Sequence, residues 1–423
     1  MKTIKIAGVE NKVYKEVLDN GLTIYVLPGD TNGITMNLTV KYGSSINDFR
    51  FKGEKEYKHL HLGVAHFLEH LTFKMEDMDA NDYFASLGSD SNAFTTFDHT
   101  NYEVWTTSNL KENLSYLLKY VLTPYYNEDL VEKEKGIILE EAKRCLDMIR
   151  RKISYATNEN IFNEYNSRYP IIGTMDEIKA ITLEDIENAY NYFYKPYNMI
   201  LTVFGNADPK EVIEVTKNTL KDFKFDVKEI ELKPIDEKPS VINNHVIVKD
   251  KNEMPIVSVS YKIPVKAFGD LTRKEIDIAS YLITTCELSK TSDFNEYLKN
   301  SHLVVGGLGY YYQFYDDYLV FTLTANSDKP DELIKEIKKK ISNLDVNIED
   351  IERKKRAAFS TAILIFDNIN DYARGFTHEF MNYGEDTFIE TDVLKHMKLE
   401  TVKKVEDVYK KANTIVEVIA EQE

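Results

Sequence analysis

LEDIENAYNYFYKPYNMILTVFG, residues 183–205, has a counterpart in LETVKKVEDVYKKANTIVEVIA, residues 399–420. Leu183 answers Leu399, Phe193 answers Tyr409, Asn198 answers Asn413 and Val203 answers Val418. The offset is 216 residues before Pro196 and 215 after it, about half of the 423-residue chain. Each copy carries apolar residues at helical spacing and then a short apolar run, so each predicts a helix running into a strand at the end of a half. Two generic helix–strand units could look alike, but duplication also accounts for what lies between them. The stretch 225–243 is charged, carries two prolines and lacks an apolar face, as a linker would. The expectation is an α+β protein of two homologous domains, residues 1–224 and 244–423, each a mostly antiparallel sheet packed with helices and joined by the 225–243 linker.

Composition agrees with a folded chain of more than one core: 43% hydrophobic residues, with 28 tyrosines and 21 phenylalanines. The net charge of −17 argues against nucleic acid, since phosphate binding needs a basic surface. It suits basic or neutral peptides, or simply a solvated acidic surface. No apolar run is long enough for a signal peptide or a membrane span. Cys145 and Cys286 stand far apart and suggest no disulfide framework, so a cytoplasmic, reduced protein is expected. No phosphate-binding glycine loop follows any expected strand. DKPDELIKEIKKKISNL reads as an amphipathic packing helix with a wet face.

HFLEHLTF, residues 66–73, is the stretch that carries chemistry. On a helix, residues i, i+3 and i+4 share a face, so His66, Glu69 and His70 project together while Phe67, Leu68 and Leu71 anchor the helix. Two imidazoles one turn apart can close on one metal ion, and the carboxylate beside them can take a proton from a water on that ion. A catalytic metal site needs a third protein ligand. LVEKEKGIILEEAKRCL, from residue 130, offers candidates. Ile138, Ala142, Cys145 and Leu146 recur as a buried helical stripe. Glu134 and Glu141, two turns apart, share a face, whereas Glu140 points about 100° away. Such a pair can supply a ligand and a carboxylate that orients a histidine; it can equally be a solvated face with ion pairs. His59 and His61 are candidate extra ligands that precede the helix and better suit solvent or loop positions, and His99 is a weaker candidate for approaching a substrate.

With these motifs in order, the chain resembles the pitrilysin family of inverted zincins over nearly its whole length. NGLTIYVLP is similar to that family's opening strand, GVAHFLEHLTF to its active-site helix and VEKEKGIILEEAK to its second metal-binding helix. LGSDSNAFTTFDHTNYEV resembles the segment against whose edge the family lays its substrate, and YPIIGTMDEIKAITLEDIENAYNYFYKPYNMILTVFGN the stretch closing the first domain. The resemblance implies one zinc ion per chain on His66, His70 and Glu141, with Glu69 as general base and Glu134 as the supporting carboxylate. It also implies that Asn92 and Ala93 contact the peptide, and that the chain forms half of a clam-like chamber.

The second half departs from the family's pattern. Where the family has an arginine and then a tyrosine that grip the substrate backbone, EYLKNSHLVVGGLGYYYQF has Lys299, and Val305 or Gly306. A lysine lacks the planar fork of an arginine, and Tyr310, Tyr311 and Tyr312 come too late and suit a strand. The resemblance therefore implies the metal-bearing member of a bacterial pair, a zinc endopeptidase working on short or unfolded peptides with a sister subunit that supplies the clamp. VEKEKGII and HFLEH resemble the branch associated with elongation factor P modification; related pairs trim leader peptides. The alternatives are an autonomous homodimer using Lys299 or Arg374, and a non-catalytic peptide-binding subunit.

Overall fold

The computed structural model describes residues 1–251 and 254–422, with the side chains of all of these except 370, 371 and 374. The alternative clamp Arg374 therefore lies outside the described side chains. The fold is α+β, with sheets covered by helices.

The repeated stretches become the same element in two sheets. Thr182 caps the helix Leu183–Phe193 in a reciprocal box with Asp185. Pro196 then opens a short 3₁₀ turn, Pro196–Asn198, before the strand Met199–Gly205. In the second copy the helix Leu399–Lys411 reaches the strand Ile415–Gln422 without that turn, which is where the offset changes by one. Met199–Gly205 lies between Thr23–Pro28, parallel to it, and Ile34–Val40, antiparallel. Ile415–Gln422 lies between His245–Asp250, parallel, and Ile256–Pro264, antiparallel. Thr100–Thr106 and Asp90–Thr95 extend the first sheet to its edge, as Tyr318–Asn326 and Val305–Tyr315 extend the second. Lys2–Lys5 and Lys12–Val17 are added at the other side of the first sheet, making it seven-stranded.

The chain forms two compact units. The first comprises Met1–Lys143, Tyr169–Pro234 and Ile363–Phe388, and the second Arg144–Arg168, Ile235–Ala362 and Ile389–Glu423. Each sheet thus takes a helix from the other half of the sequence. Ile369, Ala373 and Phe376, on the helix Ile369–Tyr383, pack on Tyr25, Leu27, Ile200 and Phe204 of the first sheet. Ile153, Ala156 and Ile161, on the helix Ile149–Ile161, pack on Ile256, Val320, Val416 and Val418 of the second. Burial of the isoleucine and phenylalanine side chains among these contributes about 1.5–3 kcal/mol each, so both segments belong to the cores they cover. In the 225–243 stretch, Ile230–Leu232 pairs as a short strand with Asp48–Phe51, and the boundary between the units falls at Pro234 and Ile235.

A charged group inside the second unit ties one imported helix down. Glu237 and Lys262, both buried, meet at 2.5 Å. The Glu237 carboxylate also accepts the backbone N–H groups of Asn163, Glu164 and Tyr165 at 2.9, 2.7 and 2.9 Å. The Lys262 ammonium donates to the carbonyls of Lys238 and Ser240. The segment leaving the helix Ile149–Ile161 is thereby bonded to the strand Ile256–Pro264.

Candidate active site

The helix Val64–Thr72 is oriented by a glycine crossing at its start. Gly63 has φ +90 and Gly173 φ +87; a Cβ on Gly63 would stand 2.4 Å from the Ile172 carbonyl oxygen, and one on Gly173 2.6 Å from that of Leu62. Only glycine permits both the backbone angle and the approach. Glu177 holds the same loop, accepting from the Leu62 N–H at 3.0 Å and meeting the His61 Nδ1 at 2.9 Å. From there Phe67, Leu68 and Leu71 enter the core fully buried, leaving the i, i+3, i+4 face to His66, Glu69 and His70.

The helix Glu128–Leu146 presents the second half of the site. Ile138, Ala142 and Cys145 form its buried stripe; Leu146, expected to join them, is exposed because the helix ends there. The Glu134 carboxylate bonds the His70 Nδ1 at 2.9 Å. That fixes the proton on Nδ1 and turns Nε2 outward, where it lies 3.4 Å from the Glu141 carboxylate. The His66 Nε2 is 3.9 Å from the other Glu141 oxygen. One donor atom from each of His66, His70 and Glu141 lies within 4.8 Å of the others. Two imidazole nitrogens and one carboxylate oxygen make a donor set that fits zinc and leaves a position open. Glu140 pairs with Lys143 on the solvent side.

Glu69 is buried and accepts from the Thr95 hydroxyl at 2.6 Å. Burial pushes its carboxyl above the ordinary carboxylate range, against the pull of Thr95 and His70. Burial works against the charged His70 as well, but the bond to Glu134 and the charges of Glu69, Glu134 and Glu141 hold its imidazole above the usual value. For Glu134, burial is outweighed by the bond and charge of His70, and the carboxyl stays below its usual range.

Thr95 closes the edge strand Asp90–Thr95, which pairs only with Thr100–Thr106 among the described residues. Its other edge presents unpaired backbone groups, with Asn92 exposed and Ala93 half-buried. Residues 91, 93 and 95 face the histidine helix and 90, 92 and 94 the opposite side. Thr95 was not singled out in the sequence; its position three residues after Asn92, in a strand ending beside the helix, is the signal. Below it, the Tyr102 hydroxyl bonds Thr72 and Tyr194 at 3.1 and 2.7 Å, a buried polar contact no motif announced.

His59 is exposed beside Asp48, and His99 is buried with its Nδ1 on Asp98 and Thr96. Lys299 is exposed on the helix Asp293–Asn300, and Val305 and Gly306 begin the edge strand of the second sheet. Tyr310, Tyr311 and Tyr312 are in that strand, as expected. Among the described residues no helix is long and apolar enough to cross a membrane.

Comparison with known proteins gives two family matches, "Insulinase (Peptidase family M16)" over residues 53–175 and "Peptidase M16 inactive domain" over 180–357. The first match spans both helices of the site. An uncharacterized zinc protease of Bacillus subtilis, YmfH, is 30% identical over 412 residues, 96% of this chain and 95% of the relative. The crystal structure of an M16-like peptidase from Alicyclobacillus acidocaldarius superposes with a TM-score of 0.89 at 24% identity, covering 98% of this chain and 99% of that one. The periplasmic protease PqqL of Escherichia coli gives 0.76 at 18% identity; 99% of this chain covers 48% of it.

Proposed function

The chain belongs to the M16 peptidase family, and on that premise we propose that it is a zinc endopeptidase subunit that cleaves short or unfolded peptides. The observation that carries the reading is the convergence of His66, His70 and Glu141 within 4.8 Å beside a buried carboxylate, Glu69. His66, His70 and Glu141 would hold one zinc ion, which supplies Lewis-acid polarisation of a carbonyl and a water of lowered pKa. Glu69 takes a proton from the attacking water and returns it to the leaving amine. Its buried position, with the Thr95 hydroxyl as a fixed donor, orients a group that must both accept and donate. Glu134 holds the His70 ring in the tautomer that leaves Nε2 for the metal. The peptide lies along Asp90–Thr95 as an added strand, with backbone hydrogen bonds at Asn92 and Ala93 fixing its register beside Glu69.

A sister subunit supplying an arginine–tyrosine clamp completes the site in this reading. What supports it is the absence of such a pair at Lys299 and Val305 or Gly306, and the existence of relatives such as PqqL about twice this chain's length. Placement in the branch associated with elongation factor P rests on VEKEKGII and HFLEH alone. A cytoplasmic site of action is proposed on the unlinked Cys145 and Cys286.

The test is cleavage of a mixed quenched peptide library by the zinc-loaded chain, alone and with a sister subunit, beside the Glu69→Gln variant. Turnover that vanishes in the variant supports the reading. Equal turnover by both contradicts it.

A further inference from the structure

The edge strand that begins beside a pocket at Asp90 ends at Thr95, against Glu69. That pocket is a cavity of about 460 Å³ whose lining includes Thr35, Ser89, Asp90, Trp105, Thr106 and Thr107. Asp90 is directly opposite Trp105 in the ladder, and Trp105 directly opposite Thr35. The three therefore share the sheet face away from the histidine helix. Trp105 is half-buried and is the only tryptophan in the chain. Asp90 is exposed, and its carboxylate accepts only the adjacent Ser91 N–H, at 2.9 Å, among the described residues. Among the described residues no lysine or arginine lines the cavity. The Ser89 and Thr106 hydroxyls bond one another at 3.0 Å, so they make a polar wall without seeking a ligand themselves. What the cavity offers is one carboxylate with no lysine or arginine among the described lining residues, on the same sheet face as an indole.

That combination selects a cation on a long apolar stem. Indole is the strongest of the protein π-faces for a guanidinium or ammonium, and a carboxylate fixes the charged end. The apolar stem of a lysine or arginine can lie against Ile34 and Trp105, which line the pocket with Asp90. Register gives the position. A residue paired with Asp90 in an added strand points to the face of Asp90 and Trp105. It lies five residues along from the residue paired with Thr95, or about 16 Å at the usual rise per residue. We propose that the Asp90–Trp105 pocket is a specificity subsite for one lysine or arginine of the peptide substrate, five residues from the residue seated at Thr95. The proposal rests on the peptidase reading for the placement of the peptide, and the overall charge of −17 favours the same substrates.

Trp105 reports on its own pocket. Short alanine–serine peptides carrying a single lysine are titrated into the full-length Glu69→Gln chain while the indole emission is followed. The same peptides with norleucine and with glutamate in place of lysine serve as comparisons. The lysine peptide is expected to give a saturable change at a concentration about tenfold below the norleucine peptide, and Asp90→Asn should erase the difference. Equal response to lysine and norleucine, no saturable response, or an unaltered preference in Asp90→Asn overturns the subsite. Cleavage-site sequencing with the active chain separates the two readings. Glu69-dependent cuts with no basic residue enriched five positions from the Thr95-paired residue overturn the subsite and leave the peptidase standing. Lysine-selective binding without any Glu69-dependent cleavage, by the chain alone or with a sister subunit, contradicts the peptidase reading and overturns the pocket as a substrate subsite with it.

Discussion

The hydroxyl of Thr95 donates to the Glu69 carboxylate at 2.6 Å, so the last residue of the edge strand is bonded to the proposed general base. In the proposed peptidase, peptide seating and proton transfer are thereby held in one frame. Thr95→Val keeps the volume and removes the donor, and a hydrogen bond to a charged group contributes about 1.5–3 kcal/mol. The expected result is a fall in kcat of about tenfold to a hundredfold, unchanged zinc content, and recovery in Thr95→Ser. Steady-state kinetics with zinc analysis of the three proteins checks it.

Among the described residues, Glu134 touches the site only through the His70 Nδ1. Glu134→Ala should leave the fold intact and weaken zinc binding by about 10–100-fold, the range typical of losing such a partner. Glu134→Gln, which still offers an acceptor, should lie between. Competition with a chromogenic chelator measures this; an unchanged affinity in the alanine variant would show that His70 is oriented by something else.

Gly63 should tolerate no side chain. Gly63→Ala places a Cβ 2.4 Å from the Ile172 carbonyl oxygen at φ +90, a strain of about 1–3 kcal/mol before any clash is relieved. Melting temperature and zinc affinity should fall together, because the strained segment sets the angle of the histidine helix.

The Glu237–Lys262 pair gives a pH-dependent stability. Burial works against the Glu237 carboxylate, but the Lys262 ammonium and three backbone N–H donors outweigh it and hold the carboxyl below its usual range. Because the folded value lies below the unfolded one, near about 4.3, the stabilisation is complete above that pH. It is lost as pH falls through the lower, folded value. Lys262→Met leaves the carboxylate buried without its cation and should cost about 3–5 kcal/mol. Glu237→Gln should flatten the acid limb of stability. Urea midpoints between about pH 3 and 7 test both.

The local parts of this molecule were legible because helical geometry is local. The i, i+3, i+4 spacing in HFLEH and the seven-residue spacing of Glu134 and Glu141 each fix which side chains share a face, whatever the rest of the chain does. The repeat was legible because both strands carry out the same pairing, one parallel and one antiparallel neighbour. What did not show was which apolar face covers which sheet. Ile153 and Phe376 are ordinary apolar helix positions in the sequence. Their exchange between units is decided by the fit of the helices Ile149–Ile161 and Ile369–Tyr383 onto sheets formed by distant segments. Thr95 was missed for a related reason: its place in a strand ending beside the helix is a signal of position, but which carboxylate its hydroxyl meets is decided by the packing of strand on helix.

The central claim is that His66, His70 and Glu141 hold a zinc ion while Glu69 moves the proton. Its most direct test is the zinc content of purified wild type, Glu69→Gln, His70→Ala and Glu141→Ala, measured by mass spectrometry of the metal. One zinc per chain is expected in wild type and in Glu69→Gln, and loss of the metal in the other two. Loss of zinc in Glu69→Gln, or its retention in Glu141→Ala, would contradict the division of roles.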